Sequence, residues 1–67
     1  MPLIHRVLNG PLTDDEENIL CLCLVEEDGD LYEEELIFDT MEDAINFCDH
    51  FKSSIEPIVL EQGWVDH

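Results

Sequence analysis

The sequence predicts a small α+β domain, a three- or four-stranded antiparallel-rich sheet in the order (β)ββαβ with one amphipathic helix packed on one face. Three observations carry that prediction. Two apolar runs flank an Asp-Gly dipeptide, one stretch repeats its apolar residues at helical spacing, and a last short apolar run follows a proline. At 67 residues the chain is read as a single domain, residues 1–67, of a size at which folding buries only about 60% of the unfolded chain's surface.

Residues 1–12 carry Leu3, Ile4, Val7 and Leu8 and reach Asn9-Gly10-Pro11, a strong turn signal. They read as a short strand or a loose arm. After a polar acidic connection, residues 19–25 form an uninterrupted apolar run of strand length, with Ile19, Cys21, Cys23 and Val25 on one side and Leu20, Leu22 and Leu24 on the other. A strand apolar on both faces needs two covers. One is the domain's own helix, and the other must be the N-terminal arm, a second copy of the chain or a partner.

Asp28-Gly29 then marks a two-residue hairpin, because both central positions require positive φ. The returning strand, 31–38, aligns Tyr32, Glu34, Leu36 and Phe38 on one face and Leu31, Glu33, Glu35 and Ile37 on the other. Thr40, followed three residues later by Asp43, approximates a capping box and starts a helix over 41–53. Its stripe is Met41, Ala44, Ile45, Cys48 and Phe51, widened by Phe47. Pro57 cannot donate a ladder hydrogen bond, so the run 58–60 reads as a strand that starts after it. Trp64 is either a lid on the core or an exposed anchor.

Charge governs the functional reading. Eighteen Asp and Glu face two Lys and Arg, Arg6 and Lys52, for a net charge of -16. Such a surface excludes nucleic acid and anionic membranes as direct partners and is steered toward basic clefts. With 45% apolar residues the composition is that of a folded domain rather than a disordered acidic tail. The absence of a long apolar run or of a leader-like start favours a cytoplasmic protein.

Surface scaling gives roughly 4,400 Å² of accessible area, about one net charge per 270 Å², and gathering the charges on half of it approaches the density of B-DNA, roughly one per 110 Å². The expected function is therefore a non-catalytic acidic module that docks on a basic protein, with nucleic-acid mimicry, and inhibition of a nucleic-acid-handling protein, as its special case. In size and charge the chain resembles the small acidic decoys that phages use against host nucleic-acid enzymes. The candidate contact residues are the acids Glu26, Glu27, Asp28, Asp30, Glu33, Glu35, Asp39, Glu42 and Asp43, with Tyr32 and Trp64 as apolar contacts. The competing class is a structural or accessory subunit, or a homodimer, in which charge only keeps the chain in solution.

No cofactor, metal or catalytic residue is expected. The acids of residues 26–30 offer oxygen ligands for calcium, but their spacing does not fit an EF-hand loop and a tight hairpin points neighbours apart. Zinc would require Cys21, Cys23 and Cys48 to meet a histidine, and His50 lies about 200° from Cys48 on a helix, away from the sheet and facing solvent, which leaves His5 for the fourth position. Three cysteines suit reduced core thiols. Paired carboxylates such as Glu33 and Glu35 would need a cleft that so small a chain scarcely forms.

Overall fold

The computed structural model describes residues 1–54 and 56–65, and it is a four-stranded antiparallel sheet with one helix packed on it. The strands are β1 (Leu3–Thr13), β2 (Ile19–Glu27), β3 (Asp30–Phe38) and β4 (Ile58–Val59), and their order across the sheet is β3-β2-β1-β4. The helix α1 (Met41–Ser53) follows β3, and a single 3-10 turn, Gln62–Trp64, closes the chain's described part. Residues 66 and 67 of the tail lie outside the described residues.

The hairpin forms where Asp-Gly predicts it. Asp28 has φ 53° and Gly29 φ 86°, and Glu27 pairs directly with Asp30. On the other side of β2 the connection from β1 is held by Asp14, whose carboxylate accepts from the backbone N–H of Glu16 and of Asn18, both at 2.9 Å, and from the Asn18 side-chain amide at 3.1 Å. Those hydrogen bonds, the Asn18 backbone contact foremost, hold the Asp14 carboxyl below the usual carboxylate range. A short side chain that satisfies its own loop's backbone is the usual way such a turn is stabilised.

The N-terminal segment is a full strand rather than a loose arm, and Asn9-Gly10-Pro11 lies inside it instead of turning the chain. The β1–β2 register slips between Ile4 and Arg6, between Val7 and Asn9, and between Asn9 and Leu12, so the turn-forming residues are absorbed as bulges. β4 pairs only with Leu3 and Ile4, which leaves the rest of β1 at an edge where proline is tolerated. Gly10, at φ +142° and followed by a cis bond to Pro11, presses against the next strand: a Cβ there would stand 3.0 Å from the Cys21 Cα and 3.2 Å from its sulfur.

Thr40 caps α1, its hydroxyl accepting from the Asp43 N–H at 3.1 Å, with Glu42 and Asp43 in the first turn and His50 and Lys52 in the last, as the dipole favours. Ala44, Phe47 and Cys48 are the buried residues of the helix, while Met41 and Ile45 of the predicted stripe are 39% and 44% exposed. Aromatic packing turns the helix that way. The Phe47 ring sits 5.1 Å from Phe38, 5.2 Å from Phe51 and 5.3 Å from Trp64, contacts that a ring supplies better than the Ile45 side chain on the opposite flank. The core is completed by Ile4, Cys21, Cys23, Val25, Leu36 and Phe38 from the sheet.

Replacing Gly10 by Ala forces both a disfavoured φ and a clash with the Cys21 backbone. Urea unfolding should show a loss of about 1–3 kcal/mol, whereas Gly63→Ala, with nothing within 4 Å of the added methyl and no positive φ, should leave the midpoint nearly unmoved.

Candidate functional site: an acidic edge strand and an open leucine face

β2 lies between β1 and β3, and its alternation divides the molecule. Toward the helix point Cys21, Cys23 and Val25, all fully buried. Toward the other side point Leu20, Leu22 and Leu24, half-buried beside their cross-strand neighbours, with Val65 and Asn18 lining the groove next to Leu20 and Leu22. The sequence demanded a second cover for this strand. The N-terminal segment does not provide it, because it runs beside β2 in the sheet and not across it. Among the described residues no element lies over the leucine face.

The candidate acids take a definite place. Glu26 and Glu27 end β2, Asp28 and Asp30 form the hairpin, Glu33 and Glu35 stand on β3, and Asp39, Glu42 and Asp43 join β3 to the helix and occupy its first turn. All lie on β3 or at its two ends. All but Glu26, which is half-buried, are exposed. β3 is an edge strand, so the sequence from 26 to 43, with ten carboxylates and no Lys or Arg, borders the molecule on one side. Four of these carboxylates, Asp30, Glu33, Glu34 and Glu35, stand on β3 itself. Its nine residues rise about 30 Å, so the strand carries about one charge per 7–8 Å, sparser than the one per ~3.4 Å of a single DNA strand, and the other six cluster at its two ends. A shallow groove of about 470 Å³ runs along this border, and its lining includes Leu20, Leu22, Ile37, Asp14, Glu33 and Glu35.

The chain's Lys and Arg are elsewhere. Lys52 pairs with Asp49 at 3.5 Å on the exposed side of the helix, an arrangement worth little to stability. His5 brings Nε2 to 3.5 Å from the Glu26 carboxylate, but without hydrogen-bond geometry. Arg6, paired with Leu24 in the sheet register and also lining a cleft with Val7, Phe51 and Lys52, is exposed and makes no ion pair among the described residues.

The apolar candidates are engaged within the fold. Trp64 is half-buried and stacks at 5.7 Å on Phe38 and edge-on at 5.3 Å on Phe47, so it serves as the lid. Tyr32 is half-buried beside the core, and burial, then the carboxylates of Glu27 and Glu34, push its hydroxyl above its ordinary pKa. Arg6 and the leucines around it were not among the candidate contact residues. Their signal was the alternation of residues 19–25 already noted, joined to a register that bulges in β1 made unreadable.

Cys21 and Cys48 place their sulfurs 3.6 Å apart between sheet and helix, and the Cys23 thiol donates to the Cys21 carbonyl at 3.8 Å. His50 stays apart from them, but it is half-buried rather than solvent-facing, its ring edge-on to Phe51 at 5.1 Å. Among the described residues no three His, Cys, Asp or Glu converge as a metal-binding set. Burial raises the Cys21 thiol, with the Cys48 sulfur adding to it, and pushes Cys23 up to about 12.

A group whose folded pKa is raised holds its proton longer in the native state, so it stabilises the fold at pH values below its unfolded pKa. That contribution is lost as pH climbs through the folded value. Stability from urea titrations should therefore fall as pH rises from about 9 toward 12, and Cys23→Val should flatten that fall. An unchanged slope in the variant would place the alkaline transition on other groups. No helix is long and apolar enough to cross a membrane among the described residues. Comparison with known proteins finds no matching family model, no similar curated protein and no similar solved structure.

Proposed function

We propose that this protein is a non-catalytic binding module that docks through the acidic border of β3 on a Lys- and Arg-rich surface of another protein. Where that surface is one that binds nucleic acid, the module acts as a mimic and blocks it. The observation that carries the reading is the linear charge: ten carboxylates without a Lys or Arg between residues 26 and 43, along an edge strand and its two ends. A border of carboxylates with no cation among them suits a surface of basic side chains. Self-repulsion among these acids is relieved when such a partner arrives, which favours fast, salt-sensitive association.

A second reading, in which the charge is solubilising and the chain assembles with a copy of itself or into a larger complex, is favoured by the uncovered face of Leu20, Leu22 and Leu24.

The experiment is a pull-down from lysate eluted along a salt gradient, comparing the wild type with two neutralised forms. One carries Glu27→Gln, Asp28→Asn and Asp30→Asn, and the other carries Asp39→Asn, Glu42→Gln and Asp43→Asn. A discrete basic protein should leave the wild type between about 0.1 and 1 M salt, as the screening length shrinks from ~10 to ~3 Å. Duplex DNA should compete with it. Either neutralised form should bind about tenfold more weakly, each lost charge contact being worth up to ~1 kcal/mol in water. Capture that neither neutralisation nor salt weakens would refute docking by charge.

A further inference from the structure

We propose that the open leucine face is a homodimer interface, in which a second copy of this chain packs sheet to sheet with β1 of each copy over β3 of the other. The register across the three long strands sorts the face into four rows. They read Leu12–Leu20–Ile37, Asn9–Leu22–Glu35, Arg6–Leu24–Glu33 and Leu3–Glu26–Leu31, from β1 through β2 to β3. Cross-strand partners share a face of the sheet, so these rows are what a partner meets.

The rows are self-complementary under one symmetry operation. A two-fold axis running along β2, between the two faces, keeps every row at its own height and exchanges its ends. Leu12 then meets the partner's Ile37, Asn9 the partner's Glu35, Arg6 the partner's Glu33 and Leu3 the partner's Leu31, while the leucines of β2 meet their own copies on the axis. Apolar residues fall on apolar ones, an amide falls on a carboxylate, and the only arginine of the chain falls on a carboxylate twice per dimer. Glu26 alone meets its own kind, at the rim, where His5 of the same copy stands 3.5 Å away.

The other face-to-face two-fold, crosswise to the strands, sets Glu33 on the partner's Glu35 and Leu20 on the partner's Glu26. Charge therefore selects the orientation. Both two-folds keep the strand directions of the two sheets aligned, as twisted sheets pack, so charge alone distinguishes them.

Two further observations support a second copy as the occupant. Arg6 is exposed and without an ion pair among the described residues, in a chain of eighteen acids, and the dimer supplies its carboxylate. Leu12 and Leu31, 42% and 61% exposed, are the row ends that the exchange buries. The size fits a weak association. Three strands present about 15 by 30 Å in projection, so two copies bury at least ~900 Å² together, at the low end of specific interfaces. The hairpin acids and those of the first helical turn stay outside, so the dimer offers two acidic borders instead of one.

Sedimentation equilibrium of the full chain over about 5 µM to 1 mM tests this, a range that brackets micromolar affinity. The wild type should pass from monomer to dimer across it. Added salt should tighten the dimer, because two chains of -16 repel more than two Arg–Glu pairs attract. That is the reverse of its effect on a basic partner. Arg6→Glu and Glu33→Arg, both at exposed positions where folding is unaffected, should each remain monomeric across the range. An equimolar mixture of the two should recover the dimer, with one chain of each kind visible by native mass spectrometry. A wild type that stays monomeric at 1 mM in high salt, either variant dimerising as well as the wild type, or a mixture that does not pair would overturn the proposal.

Discussion

The structure depends on the burial of one face of β2. Among the described residues, Cys21, Cys23 and Val25 are the only run of consecutive inward positions on a strand that is fully out of solvent, and the helix, β1 and β3 all pack against it. The small size of two of these residues sets the geometry. Cys48 meets Cys21 from the helix, with Ala44 in the same core, and the sulfur contact at 3.6 Å shows how near the two layers come. Gly10 approaches Cys21 from β1 with no room for a Cβ. The thiols act as compact apolar side chains. Around this narrow centre the aromatic rings of Phe38, Phe47, Phe51 and Trp64 fill the wider periphery, where a helix lying on a twisted sheet leaves more space. A core of nine buried residues among those described leaves little margin in so small a chain, and the lid formed by Trp64 is correspondingly part of the fold itself.

Much of this was legible in the residues. The hairpin follows from Asp28-Gly29, the helix start from Thr40 and Asp43, and the division of β2 and β3 into two faces from alternation alone. Each is a local rule whose outcome does not depend on the rest of the chain. β1 was less legible because Asn9-Gly10-Pro11 has two outcomes, a turn or a bulged strand, and the choice was made by a neighbour. β2 offers hydrogen-bonding partners past Pro11, and β4 leaves that stretch of β1 at an edge. The rotation of the helix was likewise decided by tertiary contact, since Met41, Ile45 and Phe47 compete for one groove and the position of Phe38 and Trp64 settles it. At the candidate site the acids were easy to see and their alignment was not. Scattered clusters in the sequence become one border only because β3 takes the edge of the sheet.

That border has a physical role whatever binds there. An edge strand offers unpaired backbone groups to any other strand, and rows of like charge are a common device against such pairing. Glu33 and Glu35, together with the acids at both ends of β3, make edge-to-edge association between copies costly. The same charges do nothing to prevent association through the opposite geometry, face to face, where strand edges are not involved. The leucine face is thus left as the surface on which the chain can associate without bringing its acidic borders together.

The distribution of the cations follows from the same division. A chain with eighteen acids gains most from a positive charge placed where it can reach two carboxylates, yet Arg6 is put at the far side of the sheet from β3, with Leu24 between them. Two strand spacings, about 10 Å, separate it from Glu33 in the same copy. At that distance in water the attraction is a fraction of a kcal/mol and further screened by salt. Within one molecule the placement of Arg6 earns little. Between two molecules related along β2 it brings opposite charges over one another in the row where both flank a leucine. Charge here is better understood as a pattern with a sign on each side of β2 than as a total, because a total of -16 opposes all self-association while the pattern admits one orientation of it.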